Sequence, residues 1–391
     1  TMNNLTADIG YKSINHYGEY LCGDTVQVVD GVNQSKVIVL ADGLKSGVKA
    51  SILSTLTARI ISTMLGEGLT LEECINAVAS TLPISSEHGL AYSTFSVMHL
   101  VGCSRARIIQ YENPSIIMLR ENEPYNFKTS PIQIADKTLL YSDIALEEGD
   151  TFIMMSDGCP GANSELKYNL DWQEPQIAEF IQILSIAGYN AQTLASMLVD
   201  ECNRLYDGKP IDDTTACVIK IKKRLAANIL FGPPCRPSNK YTMFSLFMSR
   251  KGLHIVCGGT TSQLLAEYLG TTVTKDTKHP KLEGPPMSEI KGIDYVTEGV
   301  VTINKVLENA EAYLQNRGEI EELSRPKTAA DILSRVLFEE ASDINMQVGM
   351  AINPAHHGKD MIIGRQVKVK IAEDLAECLT KMGKEVKVTY Y

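Results

Sequence analysis

Four aspartates in this chain sit where a carboxylate can do more than solvate a surface. Asp24 lies in Cys22-Gly23-Asp24-Thr25, Asp42 in Leu40-Ala41-Asp42-Gly43, Asp157 in Met155-Ser156-Asp157-Gly158, and Asp212 in Ile211-Asp212-Asp213-Thr214-Thr215. Each ends an apolar strand-like run or stands in a tight acidic turn. Glycine beside a carboxylate admits positive φ and lets its carbonyl approach a bound cation closely. Oxygen-only donors suit hard divalent ions such as Mg²⁺ or Mn²⁺, and the lack of a His or Cys ligand set argues against zinc or copper. Two carboxylates about 5 Å apart repel by roughly 3 kcal/mol at an effective dielectric near 20, so four converging ones call for cations. Two divalent ions roughly 4 Å apart would bridge a water and lower its pKa, which is the chemistry of metal-assisted phosphate ester hydrolysis without a covalent phosphoenzyme.

Taken singly, each motif has a plainer reading. Asp-Gly is first a turn signal, and Asp30-Gly31 and Asp207-Gly208 are read as turns only. Residues 212–215 alone could be a loop capping the last strand. The joint occurrence of the four motifs, in this order and on one plan of elements, favours a shared site.

That plan is read from periodicity. Residues 37–41 form a buried strand running into Asp42-Gly43, and a helix follows from Val48, with Val48, Ile52, Leu56, Ile60 and Met64 at helical spacing. A second helix is predicted over 71–82. Residues 92–101, 106–111 and 116–119 alternate as strands close enough in sequence for antiparallel pairing. A buried strand at 151–155 ends in Ser156-Asp157-Gly158, helices follow at 176–187 and 191–206, and a strand at 215–222 closes the region. Segregated strands and helices predict an α+β layered domain. Residues 225–250, turn-rich around Gly232, Pro233, Pro234 and Pro237, are expected to connect it to a second domain, 251–391, which reads as a smaller α/β unit.

Composition bounds the rest. The chain has 391 residues, enough for two domains, with 44% hydrophobic and 21% charged residues. Its net charge of -10, without a local basic cluster, disfavours nucleic acid as a partner. The nine cysteines contain no CxxC pair, so reduced, buried thiols are expected. No apolar run approaching the roughly 20 residues of a bilayer span is evident, and a soluble, cytoplasmic protein with no membrane partner is expected.

The set Gly23-Asp24, Ala41-Asp42-Gly43-Leu44-Lys45-Ser46-Gly47, Ser156-Asp157-Gly158 and Asp212-Asp213-Thr214-Thr215 resembles the stage II sporulation E type of the metal-dependent protein serine/threonine phosphatases, over about residues 1–224. The resemblance implies an α-β-β-α sandwich of two antiparallel sheets flanked by helices, with a dinuclear Mn²⁺ or Mg²⁺ centre. It implies that Asp42, Asp157 and Asp212 hold one ion and that Asp24, Asp42 and the Gly43 carbonyl hold the other, Asp42 bridging. Asp213 is the weaker metal contact of its pair on this reading. The chain departs from the family at Ala41 and Lys45, where glycines are usual; Lys45 could serve the substrate phosphate or be a solvated loop residue. No N-terminal phosphate-gripping arginine is evident near Asp24. The implied substrate is a phosphoprotein, of which an anti-sigma-factor antagonist is the family's frequent type, and a homodimer is compatible. A different class of function would keep this fold as a scaffold or sensor whose C-terminal domain binds a ligand or partner.

The second half carries thinner signals. Gly258-Gly259-Thr260-Thr261-Ser262, between a strand and a helix, could place backbone N–H groups around an anion, but without GxGxxG or GxxxxGK[ST] a structural turn is the plainer reading. His356-His357 is read as an exposed loop and Gly284-Pro285-Pro286 as a turn. A sensory or partner-binding role for this domain follows by elimination.

Overall fold

The computed structural model describes residues 4–81, 84–85, 89–90, 93–134, 137–163, 171–279, 281–315, 323, 325–351 and 359–391. His356-His357 lies outside them. The chain divides into two compact units, Thr1–Lys223 and Arg224–Tyr391.

In the first unit the strands are β1 (Leu5–Ile14), β2 (Asp24–Asp30), β3 (Ser35–Asp42), the short pair β4 (Ile84–Ser85) and β5 (Gly89–Leu90), β6 (Thr94–Val101), β7 (Arg105–Tyr111), β8 (Ile117–Arg120), β9 (Glu123–Pro124), β10 (Ser130–Ile134), β11 (Lys137–Ala145), β12 (Thr151–Met155) and β13 (Thr214–Lys223). The helices are α1 (Gly47–Gly66), α2 (Leu71–Thr81), α3 (Glu174–Ile186) and α4 (Ala191–Leu205). One sheet runs β1-β13-β12-β8-β9 and the other β10-β11-β7-β6-β3-β2, with antiparallel pairing in both.

Alternation builds three apolar layers. Ile38, Leu40, Met98 and Ile108 of the second sheet meet Met118, Phe152, Met154 and Ile219 of the first between the sheets. Val37, Val39, Val97 and Ile109 face the other way, onto Leu53, Ile61, Leu65 and Ile75 of α1 and α2. Ile153, Met155 and Val218 receive Ile177, Ile181, Leu194 and Leu198 of α3 and α4.

Helix α1 departs from the simple periodic reading. Its buried side is Ala50, Leu53, Thr57, Ile61 and Leu65, whereas Val48, Ile52 and Leu56 are exposed. Apolar residues occur on both sides of this helix, so spacing alone could not select the packed face. By length and composition this helix is also apolar enough to span a bilayer, contrary to the expectation that no such run exists; its inner side packs on the sheet.

In the second unit the strands are β14 (Ala226–Phe231), β15 (Leu253–Cys257), β16 (Thr274–Lys275), β17 (Ser288–Glu289), β18 (Tyr295–Thr297), β19 (Asp343–Val348) and β20 (Glu385–Tyr390), with helices α5 (Lys240–Ser249), α6 (Gly259–Leu269), α7 (Val300–Gln315), α8 (Ala329–Arg335) and α9 (Lys359–Lys381). They form one sheet, β16-β17-β18-β15-β14-β19-β20, parallel from β18 to β20. This corrects the expected connection at 225–250. Residues 226–231 are an interior strand hydrogen-bonded on both sides, and 240–249 are a helix buried through Met243, Phe244 and Phe247. The Gly-Pro-Pro turn is therefore a strand-to-helix loop inside the domain.

Candidate metal centre

Asp24 opens β2 and Asp42 ends β3, and the two stand opposite each other in the antiparallel register. Asp157 follows the end of β12 and Asp212 precedes β13, and these strands are neighbours in the other sheet, with Met155 opposite Ala216. Two aspartates thus come from the same end of each sheet. The Ser156 hydroxyl joins the pairs, donating to Asp24 Oδ2 at 2.7 Å while its Oγ accepts the Thr215 N–H at 2.9 Å.

The motif glycines are required by close approach. Gly23, Gly43 and Gly158 do not adopt positive φ, which corrects one reason given for them above. A Cβ on Gly43 would stand 2.1 Å from the Ala50 carbonyl oxygen of α1, one on Gly158 2.2 Å from the Asp213 carbonyl oxygen, and one on Gly23 2.6 Å from Asp213 Oδ2. The Gly43 N–H also donates to the Gly23 carbonyl at 3.0 Å, tying two motifs together.

The carboxylates perturb one another. Burial, then the charges of Asp24, Asp157 and Asp212, push Asp42 up to about 9. Asp24, 6% exposed, is pushed up to about 7 by burial and the charges of Asp213 and Asp212, against hydrogen bonds from Ser156 and Thr215. Asp212 is raised by burial and Asp157. All four sequence-predicted aspartates therefore act on one electrostatic neighbourhood. Lys45 is exposed, with φ 69°, in the loop entering α1.

Three residues exceed or escape the sequence reading. Asp213, ranked below Asp212, is only 2% exposed; its Oδ1 accepts the His16 N–H at 3.0 Å and its Oδ2 is buried without a partner. Ser156 has no role in the sequence reading, although a hydroxyl directly after a buried strand is a visible signal. His16 had no signal in the sequence, because only tertiary contact brings it to Asp213.

The donor set fits a hard cation: it is all oxygen, and Asp24 Oδ1 and Asp213 Oδ2 are buried acceptors with no donor. As the side chains are oriented, no group of three or more His, Cys, Asp or Glu among the described residues is gathered closely enough to hold a metal ion. The fit therefore rests on donor chemistry.

Residues 33–222 match the family model of stage II sporulation protein E (SpoIIE). The stage II sporulation protein E of Bacillus subtilis (strain 168) is 22% identical over 209 residues, 52% of this chain and 24% of that protein, so the chain spans about a quarter of that relative's length. Among solved structures, the phosphatase domain of SpoIIE from Bacillus subtilis is 20% identical, covering 56% of this chain and 94% of that one, with TM-score 0.43. The catalytic domain of the serine threonine protein phosphatase PstP, in complex with two manganese ions, is 15% identical, covering 56% and 100%, with TM-score 0.39. The RsbU and RsbW domains of a Mycobacterium tuberculosis protein are 16% identical, covering 62% and 68%, with TM-score 0.45. The match to the SpoIIE family model thus falls on the N-terminal unit, with Asp42, Asp157 and Asp212 inside the matched span and Asp24 just ahead of it.

Proposed function

We propose that the N-terminal unit hydrolyses phosphoserine and phosphothreonine esters of a protein substrate. The observation that carries this reading is that Asp24, Asp42, Asp157 and Asp212, from four chain segments, share one neighbourhood in which burial and neighbouring carboxylate charges raise Asp24, Asp42 and Asp212. Asp42, Asp157 and Asp212 would hold one Mn²⁺ or Mg²⁺, and Asp24, Asp42 and the Gly43 carbonyl the other. Two such ions would offset the carboxylate charge and would supply the acidity that activates a water near neutral pH. The chain's own groups set the site. Ser156 orients Asp24, the Gly43–Gly23 bond holds the two loops in register, and the His16 N–H fixes Asp213 with one oxygen left as an acceptor. Lys45 would offer its ammonium to the substrate phosphate. A phosphorylated anti-sigma-factor antagonist, met in the cytoplasm in a partner-switching pathway, is the substrate class we favour.

Hydrolysis of p-nitrophenyl phosphate and of a phosphoserine peptide with added Mn²⁺ tests the reading. Turnover is expected, with the peptide preferred over sugar phosphates, and Asp42→Asn and Asp157→Asn should each reduce it by at least about a hundredfold. No turnover with Mn²⁺ or Mg²⁺ would leave the fold as a scaffold for the second unit.

A further inference from the structure

The C-terminal unit holds a second constellation, outside the aspartate cluster. Its parallel strands lie in the order β18-β15-β14-β19-β20, so the chain steps outward from β14 to one side, returns, and steps outward to the other. The helices divide with it. Leu230, Val256, Phe244 and Leu265 pack α5 and α6 on one face, and Ile229, Ile255, Ile303, Leu333 and Leu375 pack α7, α8 and α9 on the opposite one. A doubly wound sheet of this kind receives ligands at the carboxyl ends of its strands. Where the order reverses, between β14 and β19, that edge is closed by backbone bonds from Gly349 N–H to the Phe231 carbonyl (2.8 Å) and from Ala351 N–H to the Pro233 carbonyl (3.0 Å). One strand over, at the turn from β15 into α6, Gly259 and Thr260 are exposed.

That turn is Gly258-Gly259-Thr260-Thr261. Gly258 has φ 127°, a conformation that favours glycine, and a Cβ on Gly299 would come within 3.3 Å of its Cα, so the β15–α6 and β18–α7 turns meet backbone to backbone. Gly259 is different. Its φ is ordinary, and a Cβ there would have nothing within 4 Å. The fold does not require glycine at 259, and glycine there leaves the main chain of the turn uncovered. Gly259 and Thr260 are exposed, no side chain caps the helix, and its first turn carries no acid. Independently, Thr261 is 0% exposed and its Oγ1 has no hydrogen-bond partner, although it stands 3.0 Å from where a Gly258 Cβ would be, facing the same cap. An exposed carboxylate, Glu298, follows the last residue of β18 and directly precedes Gly299.

We infer that this edge is a nucleotide site: a phosphate on the Gly259 and Thr260 N–H groups and the Thr261 hydroxyl, and ribose hydroxyls donating to Glu298. Helix N-terminal N–H groups favour phosphate, and an acid at the end of the following parallel strand suits a vicinal diol. The inference is independent of the phosphatase reading, since it uses no residue of the first unit.

Titration calorimetry of the full chain with ADP, adenosine and inorganic phosphate tests it. EDTA keeps divalent ions from the aspartate cluster, so phosphate capture there does not contribute. ADP is expected to bind, and Gly259→Asp to weaken it by at least about tenfold without lowering Tm, because the Cβ has room and an acid suits the first turn. Thr261→Val, nearly isosteric, should weaken ADP as well and guards against a folding effect at 259. Glu298→Gln should weaken ADP roughly tenfold and leave inorganic phosphate unchanged. No binding of ADP at about 1 mM, or unchanged ADP affinity in both Gly259→Asp and Thr261→Val, overturns the site. Adenosine binding as tightly as ADP overturns the phosphate role, and a silent Glu298→Gln overturns the ribose role.

Discussion

At the scale of single residues, the aspartate cluster trades stability for a charge trap. Asp42 ordinarily ionises at 3.8 and is pushed up to about 9 here, chiefly by burial and then by Asp24. Asp42→Asn should therefore stabilise the metal-free protein, raising Tm at pH 8 in EDTA even as it removes turnover; a lower Tm would contradict the repulsion argued here. Ser156 works the other way. Its hydroxyl donates to Asp24 and accepts from Thr215, and Ser156→Ala leaves a buried carboxylate oxygen and a buried N–H unpaired. Urea denaturation should register a loss of about 1–3 kcal/mol, together with reduced Mn²⁺ affinity.

At the scale of elements, the loops are shaped by what they must pass. The end of β3 runs so near α1 that a Gly43 side chain would collide with the Ala50 carbonyl oxygen, a backbone atom that cannot swing aside. Gly43→Ala is accordingly expected to cost about 1–3 kcal/mol and to lower turnover by displacing Asp42, whereas Gly149→Ala, whose Cβ meets nothing within 4 Å, should leave turnover intact despite its positive φ. A thermal melt and a rate measurement on both variants separate site displacement from general glycine effects. Strand β14 carries a related lesson. Ala226–Phe231 reads as a short apolar run beside Gly-Pro-Pro, and such a run has the same appearance in a linker as in the middle of a parallel sheet buried on both faces.

At the scale of the whole molecule, the charge balance of the first unit makes its stability depend on pH and metal. Between about 4 and 9 the folded chain keeps a proton on Asp42 that the unfolded chain has lost, so stability falls as pH rises through that window and is recovered below it. Asp24, raised to about 7, adds to the slope over the lower part. Mn²⁺ should flatten this dependence, since a cation favours the ionised form. Calorimetry of the two-unit chain should show Mn²⁺ raising the transition of Thr1–Lys223, by about 2.7 kcal/mol at a hundredfold excess over Kd, while that of Arg224–Tyr391 stays in place. Equal shifts in both transitions would contradict the assignment of the ions to the first unit.

The sequence by itself determined the four aspartate motifs, the apolar strands at 37–41 and 151–155, the helices that follow them, and the existence of a second α/β region. These are local signals: periodicity, turn residues and the types of donor atom are written in neighbouring positions. Only the tertiary structure decided that Asp213 meets the His16 N–H and Ser156 meets Asp24, that the exposed side of α1 carries Val48, Ile52 and Leu56, that 226–231 is an interior strand, and that a Gly259 Cβ would meet nothing while one on Gly43 would meet backbone. Each depends on contacts between residues far apart in the chain, whose identities carry no mark of which distant partner they will face.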